Sequence, residues 1–464
     1  MTDKNQPPSK GKQNMSRRQF LGASALAAAG LTVVPRHVLG GSGQMAPSDK
    51  LNIACIGVGG MGSNNTRELA ELGENIYALC DVDFDYAGET FDQYPEAKKY
   101  TDFRKMLDNE PEIDAVMVAT PDNNHAAIAI TAMKMGKHAF VQKPLTRTIY
   151  EARRMAQVAE EEGVATQMGN QGHAMEGTYL ILEWIRQGAI GEVTKVDTWT
   201  NRPRGYWPQG ADVHRPAEIP AVPSTLSWDL WIGPSPYRPY HPAYHPFVWR
   251  GWWDFGSGAL GDMGAHIMDQ PYWALELGMP ESVYASNTPY NDQSFPLGSM
   301  IHYQFPARGN KPPVKFTWYD GGLLPPRPDD LEQDRQMGAS GGGMIFYGTE
   351  GKLMASVYGN NPRLIPESFM REVGPPNKTL ERSPGIHEEW VNEAKGGPKA
   401  KSNFTYAAAL TETMLLGNLA VQFSDTNKRL EWDAENMQVA NHPEANEWLA
   451  QVHDFRPGWG ELIG

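Results

Sequence analysis

Three groups of residues in the 464-residue sequence have the types and the spacing to do chemistry together. The first is Ile56-Gly57-Val58-Gly59-Gly60-Met61-Gly62, a G-x-G-x-x-G between an apolar run and a helical one. Gly57 permits a tight turn, Gly59 lets the backbone approach a pyrophosphate, and Gly62 lets a helix pack closely on a strand, with the helix N-terminus facing phosphate. Asp81 closes the next apolar run nineteen residues after Gly62, the spacing at which a carboxylate accepts from an adenosine ribose hydroxyl. A negative charge there repels a ribose phosphate, so the expected cofactor is NAD in preference to NADP. Asp83 and Asp85 read as exposed helix-start residues.

The second group is Thr120-Pro121-Asp122-Asn123-Asn124-His125 together with Gln142-Lys143-Pro144, each following an apolar run. Ligands bind at such carboxyl ends in parallel sheets. The third is Gly256-Ser257-Gly258-Ala259-Leu260-Gly261-Asp262-Met263-Gly264-Ala265-His266, in which Asp262 and His266, four apart, share one helix face. Oxidising a carbinol needs a hydride acceptor, a base, and a donor or cation on the developing alkoxide. Lys143 suits the polarising cation and His266 the acid/base near neutrality. Asp262 suits a partner that holds the imidazole tautomer or meets a second hydroxyl. On the residues alone, Asp262 as a helix N-cap and His266 as a satisfied core histidine weigh about as much. Thr120, Pro121, His125 and Gln142 are expected along the cofactor, His125 near its nicotinamide end. Asn170 and His173 of Asn170-Gln171-Gly172-His173 are substrate candidates.

To position these groups the chain needs a parallel sheet covered by helices, and from Leu51 short apolar runs do alternate with helical stretches. Strands are predicted at Leu51 to Gly57, Ile76 to Val82, Ile113 to Thr120, Lys137 to Gln142 and Val164 to Met168, with helices between. After about residue 175 the texture changes to antiparallel-looking strands with Gly- and Pro-rich turns. The fold class is therefore α/β: an N-terminal doubly wound Rossmann sheet, residues 50–172, then a C-terminal α+β substrate domain, 173–464, with an open, mostly antiparallel sheet. Seven of the 14 tryptophans lie between Trp199 and Trp253, in a Pro-rich stretch, 199–255, expected to form ordered loops over the cleft. Most of these rings should pack loop to loop, while one or two suit the apolar face of a sugar. His241 and His245 have metal-like spacing, but their Pro and Tyr neighbours argue against a helix presenting both, and no metal is expected. Cys55 and Cys80 read as small core residues.

The four motifs, in this order, resemble the Gfo/Idh/MocA oxidoreductases over nearly all of the chain after residue 50. The resemblance implies a Rossmann domain followed by an open, largely antiparallel sheet, an NAD-dependent activity on a sugar or glycoside hydroxyl, and a homo-oligomer. It places function ahead of the structural readings of Lys143, Asp262 and His266. One departure is plain, since the family's usual Glu-Lys-Pro reads Gln142-Lys143-Pro144. Two alternatives stand beside the oxidoreductase: a glycosidase working through transient oxidation and elimination, as in a branch resembling this family, and a non-catalytic sugar-binding protein.

The formal net charge of −14 argues against a nucleic-acid partner, which would be met by a basic patch. Residues 1–40 oppose that balance, with six Lys and Arg against one Asp. There Ser16-Arg17-Arg18-Gln19-Phe20-Leu21 precedes an Ala/Gly-rich apolar run ending at Pro35, too short to span a bilayer. This resembles a twin-arginine signal, implying engagement of the Tat export machinery and a periplasmic protein. Because that pathway moves folded proteins and free NAD is scarce outside the cytoplasm, a tightly held cofactor is expected.

Overall fold

The structure is a computed structural model that describes residues 49–451 and 455–464; the expected twin-arginine segment lies outside the described residues. Leu51–Gly464 forms one compact unit. Strands β1 (Asn52–Ile56), β2 (Asn75–Cys80), β3 (Lys98–Tyr100), β4 (Ala115–Val118), β5 (His138–Val141) and β6 (Thr166–Met168) pair in parallel, in the order β3-β2-β1-β4-β5-β6. The strand order reverses between β1 and β4, the crevice where a doubly wound sheet takes its ligand. β1, β4 and β5 are apolar almost throughout because both faces are covered. One face packs on the helices His125–Lys134 and Ile149–Glu162. On the other, Ile53, Leu79 and Phe140 meet Ile386, Trp390 and Val391 of a helix from far along the chain, Ile386–Ala394. Cys55 and Cys80 are free, buried, and in opposite layers of the sheet, so the neighbouring strands do not pair them.

The second sheet holds β7 (Val193–Thr200), β8 (Ser282–Asn287), β9 (Ser299–Phe305), β10 (Val314–Tyr319), β11 (Gly342–Gly348), β12 (Lys352–Ser356), β13 (Arg363–Ile365), β14 (Leu430–Asp433) and β15 (Gln438–Val439). Its order is β13-β12-β11-β7-β10-β9-β8-β14-β15. Only the β7–β10 pair is parallel. The strict alternation of burial along β9 shows one face turned to the core.

Between the sheets runs the long apolar helix Phe404–Gln422, whose N-cap Asn403 accepts from the amides of Thr405 and Tyr406. Glu412 on it receives Nε and Nη2 of Arg153 at 2.7 and 2.6 Å and the indole N–H of Trp432 at 3.0 Å. The helix Gly258–Ile267 lies against it because Gly264 has no side chain: a Cβ there would stand 2.5 Å from the sulfur of Met414.

The stretch 201–255 is irregular apart from the short helix Trp228–Ile232 and a 3-10 turn at Val248–Gly251. It is nonetheless ordered by its rings: Trp228 stacks on Trp231 at 4.6 Å, and Tyr244, Trp252 and Phe255 close around them.

Candidate functional site

The glycine loop follows β1 directly. Gly57 has φ of 77°, and a Cβ on it would meet the Ala119 carbonyl carbon at 2.8 Å, so a side chain is excluded on both counts. At Gly62 a Cβ would lie 1.7 Å from the Gly57 carbonyl oxygen, which is why helix Met61–Glu71 can sit so close to the turn. Gly57, Gly59, Gly60 and Met61 line a groove, while Val58 is fully buried and serves through its backbone. Asp81 also lines the groove. Its Oδ2 accepts from the amides of Val58 and Gly59 at 2.8 and 3.2 Å, and its Oδ1 from that of Asp83 at 3.0 Å. Burial pushes its carboxyl up to about 6 against those hydrogen bonds. The carboxylate thus shapes the loop as well as facing the groove, with lone pairs left for a ribose hydroxyl.

The groove continues past Thr120, Pro121, Asp122, Gln142 and Lys143. Lys143, joined to Pro144 by a cis bond, reaches out of the sheet to donate to both Oδ1 and the main-chain oxygen of Asp262, each at 2.9 Å. Asp262 also takes Nε of Arg250 at 3.2 Å, and Nε of Arg202 lies 3.8 Å away. Burial alone would raise this carboxyl, but Lys143 and Arg250 hold it well below the usual carboxylate range. His266, one turn along on the same helix, is buried against Tyr358, with ring centroids 4.7 Å apart. Burial and the nearby Lys143 charge keep its imidazole neutral, and Nδ1 has no partner among the described residues. Asp262 does not bond the His266 ring and so does not hold its tautomer; its contacts are ion pairs with Lys143 and Arg250.

Asn170 and His173 are brought near this end but lie beneath the surface. The Asn170 Oδ1 accepts from Ser402 at 2.7 Å, leaving Nδ2 unpartnered. His173 stacks on Trp273 at 4.0 Å, and its Nδ1 lies 3.0 Å from both oxygens of Asp269, which also accepts from Tyr406 at 2.7 Å. Its Nε2 is buried and unpartnered, so the carboxylate leaves the ring one open nitrogen.

The Trp/Pro-rich stretch forms the roof of the groove. Leu230, Trp231, His245, Phe247, Trp249 and Arg250 line it. The roof is tied down to the Rossmann domain by His245 Nε2 to Asp83 Oδ2 at 2.7 Å, Ser227 N–H to the Val82 carbonyl at 2.7 Å, and the Asn123 and Asn124 side chains donating to the carbonyls of Ile232 and Trp231. At the far end Trp459, near the C-terminus, closes the groove beside Phe103, with Arg104 over its ring at 4.9 Å.

This glycine turn with its carboxylate is matched by sequence likeness. Residues 51–170 fit the model of the NAD-binding Rossmann fold of the Gfo/Idh/MocA oxidoreductase family, and residues 181–287 fit that of its C-terminal alpha/beta domain. Both stretches thus resemble the Gfo/Idh/MocA family. It is similar to a glycosyl hydrolase family 109 protein of Shewanella pealeana, 30% identical over 231 residues that cover 42% of this chain and 51% of that one. It is also similar to glycosyl hydrolase family 109 protein 1 of a Shewanella species, 32% identical over 206 residues covering 39% and 44%. The chain thus spans about half the length of the curated relatives it matches. In fold it is like the WlbA dehydrogenase of Bordetella pertussis solved with NADH and UDP-GlcNAcA (TM-score 0.58, 17% identity, 83% of this chain and 99% of that one). It is likewise similar to levoglucosan dehydrogenase with NADH and L-sorbose (TM-score 0.55, 18% identity, 82% and 98%).

The residues fit NAD: the loop admits no Cβ at Gly57 or Gly62, and Asp81 stands where a ribose phosphate would be repelled. One expectation is corrected. His125 is fully buried and does not line the groove; its Nδ1 lies 3.0 Å from the Pro144 carbonyl oxygen and its Nε2 2.9 Å from that of Thr120. Burial lowers it to about 4. Its ring sits between the two loops that carry Thr120 and Lys143, the neutral imidazole donating to one of the two carbonyls, outside the groove. Sequence reasoning laid the 199–255 loops over the cleft without singling out Trp231 or Arg250, and missed Trp459. They come from an irregular loop and from the chain end, where no periodicity marks a facing side.

Proposed function

We propose that this protein is an NAD-dependent oxidoreductase acting on a hydroxyl of a sugar or glycoside, with the cofactor kept in place through turnover, and that Lys143, Asp262 and His266 carry the chemistry. The observation behind the reading is that Lys143, at the end of the cofactor groove, is ion-paired to Asp262 one helical turn from the neutral, unpartnered His266. NAD bound along the groove supplies the hydride acceptor. The Lys143 ammonium donates to the substrate hydroxyl oxygen and steadies the negative charge that grows there. Asp262 aims that ammonium through its 2.9 Å contact, and can accept from a second hydroxyl. His266, neutral through burial, takes the hydroxyl proton. Asn170 and His173, whose Nδ2 and Nε2 are unpartnered but buried, are the candidates for reading further hydroxyls.

The roof supports retention, because the cofactor cannot leave without loosening ties such as His245 to Asp83. Retention in turn suits export by the twin-arginine pathway to the periplasm, as a folded, loaded protein and a homo-oligomer. The deciding experiment is the absorption spectrum of purified, untreated protein before and after a panel of sugars. A nicotinamide band that changes with sugar is expected; a protein that neither carries nor takes up nicotinamide defeats the proposal. The likeness to glycosyl hydrolase family 109 proteins favours a second reading, a redox-neutral glycosidase. Cleavage of an aryl glycoside without net accumulation of reduced cofactor would select it.

A further inference from the structure

Around Asp262 the charges do not balance. Lys143, Arg250 and Arg202 lie 2.9, 3.2 and 3.8 Å from its carboxylate, three cations on one anion, in a chain whose net charge is −14. Their side chains are only 13, 21 and 18% exposed. The other nearby carboxyl, Asp122, already accepts from Ser257 at 2.7 Å, and burial pushes it up to about 7, so it offsets the excess in part. Cations withheld from water without a counter-charge are costly.

The two guanidinium groups are also held ready. Arg250 lies over the rings of Phe247 and Trp249 at 4.5 and 4.2 Å, and Arg202 over Tyr206 at 3.1 Å. Arg250 spends Nε on Asp262 and Nη1 on the Phe247 carbonyl, and Arg202 spends Nη1 on Asn201. The Nη2 group of each donates to no described residue. Stacking that fixes the plane of a guanidinium while one edge stays free prepares it for a two-oxygen anion. Arg202 does not line the cofactor groove and bears electrostatically on His266 and Tyr358, so its free edge belongs to the reacting end and not to the glycine loop.

We infer that the substrate is an acidic sugar, carrying a carboxylate or a sulfate or phosphate ester that docks on Arg202 and Arg250. The inference rests on the oxidoreductase reading of this groove. It is tested on the full chain as purified, with its nicotinamide content recorded, by titrating tryptophan fluorescence with glucose and galactose, the corresponding uronates, and their 6-sulfates and 6-phosphates. At least one acidic sugar is expected to bind about tenfold or more tighter than its neutral parent, an advantage that shrinks with added salt. The member that gains most separates carboxylate from ester. Arg202→Gln is expected to erase most of the advantage while nicotinamide content stays the same; should that variant fold poorly, the salt dependence of the wild type decides alone. Equal affinities for neutral and acidic sugars in a nicotinamide-loaded protein overturn this inference and leave the oxidoreductase reading standing. An Arg202→Gln protein that sheds nicotinamide yet still prefers the acidic sugar also overturns it, by giving the pair to the pyrophosphate. A chain that neither carries nor takes up nicotinamide overturns both.

Discussion

Lys143 is the residue on which the proposed chemistry turns, and its environment makes its loss diagnostic. Lys143→Ala removes the donor to the reacting oxygen while leaving the glycine loop untouched, so turnover should fall by about a hundredfold or more with bound nicotinamide unchanged in the absorption spectrum. A second expectation concerns acid. His387 stacks on Phe140 at 4.7 Å, and burial lowers it from 6.5 to about 4. The unfolded ring protonates near pH 6.5 while the native one stays neutral to about 4. Stability is therefore full above pH 6.5 and declines as the pH falls toward 4. His387→Gln should flatten that decline by about 2–3 kcal/mol between pH 7.5 and 4.5, measured by urea unfolding. Lys143, Asp262 and His266 were nameable because Lys143 closes an apolar run and the other two stand four apart, and the family resemblance then put function ahead of the structural readings. His125 was misread, since its partners are carbonyls of Thr120 and Pro144, and a carbonyl leaves no mark in a side-chain pattern. Arg250 carried no signal either, because nothing periodic governs its loop.

Among the elements, the turn after β1 is the least tolerant. Gly62→Ala forces a Cβ into the Gly57 carbonyl, so helix Met61–Glu71 must retreat from the loop. A loss of about 2 kcal/mol or more is expected, with weakened nicotinamide binding, both visible by calorimetry and spectroscopy on one preparation. The parallel sheet was legible because β1, β4 and β5 are continuous apolar runs closed by Gly or Pro. β3, with the sequence Lys98-Lys99-Tyr100, is an exposed edge strand and offers no such run. β13, β14 and β15, two to four residues long, are equally silent, being held by register to their neighbours. Helix Glu367–Val373 buries none of its residues, so no apolar stripe announces it.

At the scale of the whole molecule the chain does not divide neatly at one boundary. Helix Ile386–Ala394 completes the Rossmann core, Trp459 closes its groove, and Arg153 of the first domain is clamped to Glu412 of the helix Phe404–Gln422. Arg153→Ala leaves a buried carboxylate with one indole donor, and should cost about 2–3 kcal/mol, below the range for a fully buried pair because Arg153 is a third exposed; a lowered melting temperature checks it. Such long-range closure is invisible along a sequence, where residues 140 and 390 are merely far apart. The roof over the groove has a kinetic meaning as well. If departure of the cofactor requires His245 to release Asp83 and the segment to lift, the off-rate is the rate of a local unfolding event. It should therefore climb with urea, well below the concentration that melts the sheets, and His245→Ala should reproduce at zero denaturant the release that wild type shows only in urea. The working life of each loaded molecule would then be set by how rarely one loop breathes.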